Sequence, residues 1–399
     1  MKCIRICPTK ALRLRNKKLI FYSDLCIDCG ECVNVCPKDV FAPVSDHLED
    51  FKDFKYHIAI PSNILYIQFG VDVHPAVIHH ALKNIGFDEV VDVSEVCDEM
   101  GYALHHHLKV HPDIRPLISS YCPSIVRFIQ VSYPNLLKYI EPLDVPREAV
   151  ARETKRRYSQ KLGLKEEEVG VIYITPCPAK IVSIKQPAEK DRSWIDGAIP
   201  INDIYNLILP EIIKIQQKKD AVQMQNNYHY GQAWGVLGHF SQNVGSEKTL
   251  SVAGINHVKR VFEDIESSKL HNIDFVEALS CLHGCLNGVF CVKDPYVAFH
   301  NSIQLQKKFG RSAGIDKKKV IDNYKKGYYF FENPVLPRTT RSSQNDIGVA
   351  IKRMKKKERI FAGLPKTDCS ICGSPDCETF AEDCARGEAE LIDCIFFSK

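Results

Sequence analysis

A chain of 399 residues is longer than one typical domain, so two or three are expected. Its net charge of +4 is too small for that length to suggest a nucleic-acid binder or a membrane-surface protein. Its 17 cysteines stand out, yet the chain opens on Lys2 and Cys3 with no basic and apolar leader, and no apolar run reaches the roughly 18 residues a spanning helix needs. This argues against a secreted disulfide scaffold and for a reducing cytosol, where clustered cysteines more often mean metal.

The first cysteine zone lies in residues 1–40. CIDCGECVNVCPKDV supplies Cys26, Cys29, Cys32, Cys36 and Pro37, a complete C-x2-C-x2-C-x3-C-P spacing of the bacterial ferredoxin type. Three thiolates at that spacing wrap three corners of a 4Fe–4S cubane, and the fourth ligand comes from a second copy of the motif. Cys7–Pro8 ends such a copy, so Cys7 with Cys26, Cys29 and Cys32 completes one cluster. Cys3 and Cys36 are left as half of a second site. Both occupy their proper places, which leads us to expect a coding start upstream of Met1 that carries the two missing cysteines. The alternative is a single-cluster protein with two free thiols. A zinc site would need neither this spacing nor the proline.

The middle of the chain reads as α/β. IPSNILYIQFG and EEVGVIYITPCPAK contain apolar, β-rich runs suited to strands of a covered parallel sheet. HPAVIHHALKNIGF and INDIYNLILPEIIKI repeat apolar residues three and four apart, as helices do. LHNIDFVEALSCLHGC is a strand running into a cysteine-bearing loop. Beyond about 311 the composition changes: Lys317–Lys319, then YYFFENPVLP, then DIGVAIKRMKKKERIF. The last predicts a helix with Ile347, Ile351, Met354 and Phe361 on one side, its lysines forming a solvated basic face.

Three short motifs carry a resemblance: SSYCPSI at 119–125, TPCPAK at 175–180 and EALSCLHGCLNG at 277–288. In order and separation they resemble the T-S-C-C-P, M-P-C-x2-K and E-x-M-x-C-x2-G-C-x2-G signature of iron-only (di-iron) hydrogenases. GFDEVVDVSE and SWIDGAIPINDIYNLI extend the likeness over about 55–310. The resemblance implies that Cys122, Cys177, Cys281 and Cys285 ligate an active-site cubane. It further implies that Cys285 bridges to a two-iron subcluster bearing carbonyl and cyanide, supplied by hydrogenase maturation machinery. Lys180 then matches the lysine that donates a hydrogen bond to an iron-bound cyanide, and Gly284 lets the backbone pass close to the cluster. Cys97 and Cys291 match no ligand and read as buried inert thiols.

The departures from that pattern fall on the proton path. Tyr121 stands where the family has its relay cysteine, and a phenol is bulkier and titrates near 10 rather than 8.5. Thr175 and Leu279 replace methionines that pack near the di-iron group. Ser183 replaces a glutamate three residues after the lysine. YALHHHLK offers histidines 105–107 where the family has an acidic helix. The pattern resembles the divergent, sensory-type branch of the family.

The last block, LPKTDCSICGSPDCETFAEDCARGEAELIDC, is similar to the small 4Fe–4S domain of electron-transfer and corrinoid proteins, with Cys369, Cys372, Cys377 and Cys394 as ligands. Gly373 and Pro375 suit a tight loop. Cys384 is a spare thiol or a rival fourth ligand, and zinc is the minor alternative.

The expected architecture is an α/β hydrogenase catalytic domain, two-lobed with mainly parallel sheets and helices. A small ferredoxin-like α+β domain and a small C-terminal Fe–S domain flank it. The expected boundaries are 1–48, 52–312, a basic linker and helix at 313–360, and 361–399. The function this implies is H2 binding or oxidation at low turnover, as an H2 or redox sensor. Its partners would be H2 and protons, a redox protein such as ferredoxin and a separate signalling protein, in an anaerobic cytoplasm, without nucleic acid or membrane. The rivals are a metabolic hydrogenase and a non-catalytic protein like the hydrogenase-like factors of iron–sulfur assembly. Tyr121 and Ser183 favour the sensor over the first rival; Lys180 favours it over the second.

Overall fold

The computed structural model of the chain describes residues 1–218, 234–309, 314–341 and 347–397. It divides into two compact units. The larger comprises Val44–Val126 and Asn135–Leu336; the other, a terminal unit, comprises Met1–Pro43, Arg127–Pro134 and Pro337–Lys399. Both terminal cysteine blocks therefore belong to one compact unit, where the sequence suggested two separate domains. The boundary expected at 312/313 lies outside the described residues.

The terminal unit contains the antiparallel hairpin β1 (Leu12–Arg15) and β2 (Lys18–Phe21). Asn16 and Lys17 join the strands with φ of 50° and 63°, the two-residue turn whose twist suits a hairpin. β1 also meets the C-terminal block: the Leu14 amide donates to the Gly373 carbonyl at 2.8 Å. Gly373 sits at φ +82°, and a Cβ there would lie 1.9 Å from the Leu14 carbonyl oxygen, so only glycine allows this approach. Arg13 and Arg15 each reach Asp383 at 2.6 Å, in a buried cluster of charge.

The larger unit holds two parallel sheets. One runs in the order β4 (Glu89–Val90), β3 (Tyr56–Pro61), β6 (Val169–Thr175), β7 (Gly197–Pro200). The other runs β5 (Leu117–Ile118), β9 (Phe275–Leu279), β8 (Thr249–Ala253). Every residue of β6, β7 and β9 is buried, the pattern of sheets covered on both faces. The predicted helices are present as Pro75–Asn84, Ile201–Lys218 and Ser94–Val110, the last carrying the three histidines.

One assignment differs. IPSNILYIQFG is a strand only to Pro61; Ser62 caps a helix over Asn63–Phe69, its hydroxyl accepting from the Ile64 amide. Asn63–Gln68 are all buried, so the helix shows no polar face whose period would reveal it. The basic helix spans Ile347–Gly363, but its expected apolar stripe divides. Phe361 packs on the core of the terminal unit, whereas Ile347, Ile351 and Met354 face solvent. Among the described residues no helix is long and apolar enough to cross a membrane.

Candidate metal centres

In the larger unit the cysteines of interest follow the carboxyl ends of strands, where open α/β sheets bind ligands. Cys122 comes four residues after β5 and directly before the helix Pro123–Ser132. Cys177 comes two residues after β6 and caps the helix Pro178–Lys185. Cys281 and Cys285 follow β9. The turn between them is tight, with His283 and Gly284 both left-handed. A Cβ on Gly284 would lie 2.1 Å from the Gly235 carbonyl oxygen, which accepts the Cys285 amide at 2.7 Å. Glycine is thus required here by the approach of another backbone segment.

The four sulfurs belong to one electrostatic neighbourhood. Burial pushes the Cys281 thiol well above its ordinary range, and Cys122, Cys177 and Cys285 add to the shift. Burial likewise lifts Cys285 to about 11, although Lys180 draws it down. Cys281 and Cys285 so placed give up their protons more readily once a strong cation joins them. Four soft sulfur donors, Cys122 and Cys285 buried and Cys177 and Cys281 partly so, fit an iron–sulfur cubane.

Lys180, Tyr121 and Gly235 crowd Cys285, the ligand from which the resemblance would extend a two-iron subcluster. The Lys180 ammonium donates to Cys285 Sγ at 3.1 Å, and Lys180 is only 1% exposed. The Tyr121 ring lies 4.8 Å from that ammonium. The Tyr121 hydroxyl donates to the Trp234 carbonyl at 2.6 Å, and Trp234 stacks on Phe240 at 3.6 Å. A Cβ on Gly235 would lie 3.0 Å from Cys285 Sγ and 3.2 Å from the Tyr121 hydroxyl. Thr175 and Leu279 are buried as well. An ammonium thus meets the Cys285 sulfur, with a phenol and a turn of backbone beside it.

The residues expected to move protons are engaged elsewhere. Burial pushes the Tyr121 phenol well above its ordinary value, and its proton points to a carbonyl that cannot pass it on. Ser183 donates to the Lys180 carbonyl at 2.9 Å and accepts from Arg147 at 3.0 Å. His107 bonds to the Tyr324 hydroxyl at 2.8 Å, and burial, reinforced by His111 and Arg115, lowers it to about 4. Cys97 is buried, and Cys291 donates to the Cys285 carbonyl at 3.3 Å.

Two carboxylates went unassigned in the sequence. Glu277 accepts from the amides of Gly238 and Ser241 and from the Ser251 hydroxyl, holding the loop that carries Trp234 and Gly235. Its signal was a lone acid in an apolar strand. Glu141 accepts the Ser120 amide at 2.9 Å and the Ser120 hydroxyl at 3.1 Å. Nothing in the local sequence marks it.

In the terminal unit Cys7, Cys26, Cys29 and Cys32 are electrostatic neighbours. Burial lifts Cys26 to about 12 and Cys32 to about 11, with Cys7 adding to both. The Ala11 amide donates to Cys7 Sγ at 3.2 Å and the Asp28 amide to Cys26 Sγ at 3.3 Å, contacts suited to thiolates. Further along, Cys369, Cys372, Cys377 and Cys394 line one pocket. Cys384 is not among its lining residues, although it shares the core cluster of Phe380 and Leu364 with Cys377 and Cys394, and burial lifts it to about 12.

Comparison with known proteins agrees with this division. Residues 55–249 match the model of the iron only hydrogenase large subunit, C-terminal domain; residues 1–41 match a 4Fe-4S dicluster domain, and residues 364–396 an Fe-S cluster family. Iron hydrogenase 1 of Clostridium pasteurianum is 24% identical over 264 residues, covering 55% of this chain and 46% of that one. NADP-reducing hydrogenase subunit HndD of Solidesulfovibrio fructosivorans is 25% identical over 191 residues, covering 41% of this chain and 31% of that one. The chain thus spans between about a third and a half of the length of these relatives. Cytosolic Fe-S cluster assembly factor nar1 of Aspergillus flavus is 28% identical over 91 residues, 22% of this chain and 16% of that one. Among solved structures, [FeFe]-hydrogenase HydA1 from Chlamydomonas reinhardtii, variant E141Q, superposes with a TM-score of 0.53 at 15% identity, covering 74% of this chain and 98% of that one. The fold of the larger unit is that of the hydrogenase catalytic domain, and the chain is similar over residues 55–249 to the iron-only hydrogenase family, with matches to Fe–S domains at both ends.

Proposed function

We propose that this chain is an iron–sulfur redox protein built on the hydrogenase fold, which carries electrons and reports redox state rather than turning over H2. Cys122, Cys177, Cys281 and Cys285 hold one cubane. Cys7, Cys26, Cys29 and Cys32 hold another, and Cys369, Cys372, Cys377 and Cys394 a third. Cys3 and Cys36 remain for a further site if two more cysteines precede Met1. The observation that carries the reading is the crowding at Cys285: its sulfur has a four-thiol neighbourhood suited to a cubane and accepts from the buried Lys180 ammonium, with Tyr121 and Gly235 beside it.

In this role the chain's own residues tune the cluster. Cubanes supply one-electron chemistry. Lys180 brings a buried positive charge to Cys285 Sγ, and hydrogen bonds and charge at cluster sulfurs raise the reduction potential. Buried Thr175 and Leu279 keep water from that side.

The second reading is the low-turnover H2 sensor, with maturation machinery supplying the di-iron group and a separate signalling partner receiving the output. The position of Lys180 beside Cys285 favours it. Infrared spectroscopy of the purified, artificially matured protein, with iron counting, separates the two. The redox reading expects cubane iron and no carbonyl or cyanide bands; clear bands in the wild type would establish the second reading instead.

A further inference from the structure

The helix Ile347–Gly363 carries six basic side chains and one acidic one, a local excess of five. The whole chain has a net charge of only +4, so the remainder is slightly acidic and the basicity is concentrated in this element. None of its residues is buried. Lys352 and Lys356 line a groove of about 600 Å³ with Arg341, Arg353, Arg386 and Glu388. Arg341 is matched by Glu388, and Arg353 and Arg386 share Glu382, which leaves the two lysines as the charge the groove offers.

On its other side, away from Lys352 and Lys356, the helix shows solvent an apolar stripe. Ile347 is 77% exposed and Met354 53%, with Ile351 between them at 45%. The groove itself mixes its two lysines with the apolar side chains of Val349 and Ala385, a lining that favours a folded acidic protein surface over a polyanion that only charge would hold. The helix is fastened to the cluster-bearing element: Lys357 reaches Glu378 at 2.8 Å, directly after Cys377, and Phe361 joins the core around Phe380. A partner on this face docks on the element that begins at a candidate cluster ligand.

We propose that this groove is the docking site for a small acidic one-electron carrier protein, which exchanges electrons with the C-terminal cluster. The inference rests on the redox reading above and adds where electrons enter or leave.

The test uses the full, cluster-loaded chain. An acidic bacterial 2[4Fe–4S] ferredoxin is the probe, and reduced methyl viologen is a small donor that needs no docking. Stopped-flow absorbance gives the bimolecular rate of cluster reduction, and calorimetric titration with oxidised ferredoxin measures docking without electron transfer. The double variant Lys352→Glu/Lys356→Glu alters two exposed side chains, so the fold should be kept. It should slow reduction by ferredoxin at least tenfold at low salt, a gap that closes near 0.5 M salt, while methyl viologen reduces it as fast as the wild type. Lys352→Gln/Lys356→Gln should fall between. Unchanged ferredoxin rate and affinity in both variants would overturn the proposal. So would binding of wild type, but not variant, to phosphatidylserine vesicles with the ferredoxin rate unaffected, which would make the helix a membrane contact. If ferredoxin docks in a salt- and lysine-dependent way yet neither donor reduces any cluster, the docking site stands and the redox reading fails.

Discussion

Tyr121 fills the space beyond Cys285, so Tyr121→Cys should open it, at a measurable cost in stability. The ring packs edge-on against Trp234 at 5.9 Å and against Phe240 at 6.5 Å, and its hydroxyl donates to the Trp234 carbonyl. Removing a buried aromatic entirely costs about 3–5 kcal/mol. Cysteine keeps a small apolar group, so about 2–4 kcal/mol is expected, including about 1 kcal/mol for the lost hydrogen bond. That is a large part of a total of roughly 5–15 kcal/mol. The chain has two tryptophans, so in a Trp194→Phe background Trp234 alone reports on the loop beside the site. Urea unfolding followed by that fluorescence should show the loss, and the native emission should shift as the loop loosens. After artificial maturation, carbonyl and cyanide bands should appear in the variant and not in the wild type. A variant within about 0.5 kcal/mol of the wild type, with the same emission and no bands, would refute the filled-pocket argument.

Lys180→Met should lower the reduction potential of the cluster at Cys285. A unit charge about 5 Å away at an effective dielectric of 20 is worth about 3 kcal/mol, on the order of 100 mV for one electron, and a redox titration followed by electron paramagnetic resonance measures it. Burial raises the Glu141 carboxyl from 4.5 to about 8 despite its bonds to Ser120. A raised carboxyl contributes stability that is full below about 4.5 and is lost as the pH climbs through about 8. Glu141→Gln should flatten the decline between those values by up to about 1.4 kcal/mol per pH unit, as denaturation midpoints across the range would report. At the C-terminus, Cys394→Ser in the full chain should remove one cubane's worth of iron and Cys384→Ser should not; iron and sulfide analysis decides, and the reverse result would make Cys384 the ligand.

The cysteine spacings were legible because cluster ligation is a local rule. Thiols three and four residues apart wrap a cubane wherever they stand in the fold. The parallel sheets were legible for a similar reason, since a strand buried on both faces is an uninterrupted apolar run such as VGVIYIT. Contacts remote in sequence were not. Arg13 and Asp383 lie 370 residues apart and look unrelated until the hairpin is laid against the C-terminal loop. Gly373 reads as an ordinary turn residue, yet its glycine is demanded by Leu14. A consequence is that the C-terminal cysteine block depends on residues 12–15 for its shape. The substitution at Tyr121 was visible in the sequence but its meaning was not. As a member of a relay it is a poor acid; in the structure it is a side chain of the wrong size, anchored to Trp234, a residue outside all three motifs.

Lys180 shows how the same residues fit a changed chemistry. By resemblance it would face a ligand beyond Cys285, and its presence alone therefore argued for a di-iron group. In the structure its ammonium meets the Cys285 sulfur itself, at 3.1 Å. A buried lysine cannot remain charged without a partner, and a thiolate is an adequate one. Keeping the lysine is thus required by the cubane ligand as much as by anything attached to it. Tyr121 closes the remaining side with a ring that also covers the ammonium. With the phenol in place, lysine and cysteine need only each other and the cluster. In the redox reading the hydrogenase fold holds, tunes and shields its cubane with these same residues. Retention of the lysine and loss of the relay thiol are two aspects of one arrangement.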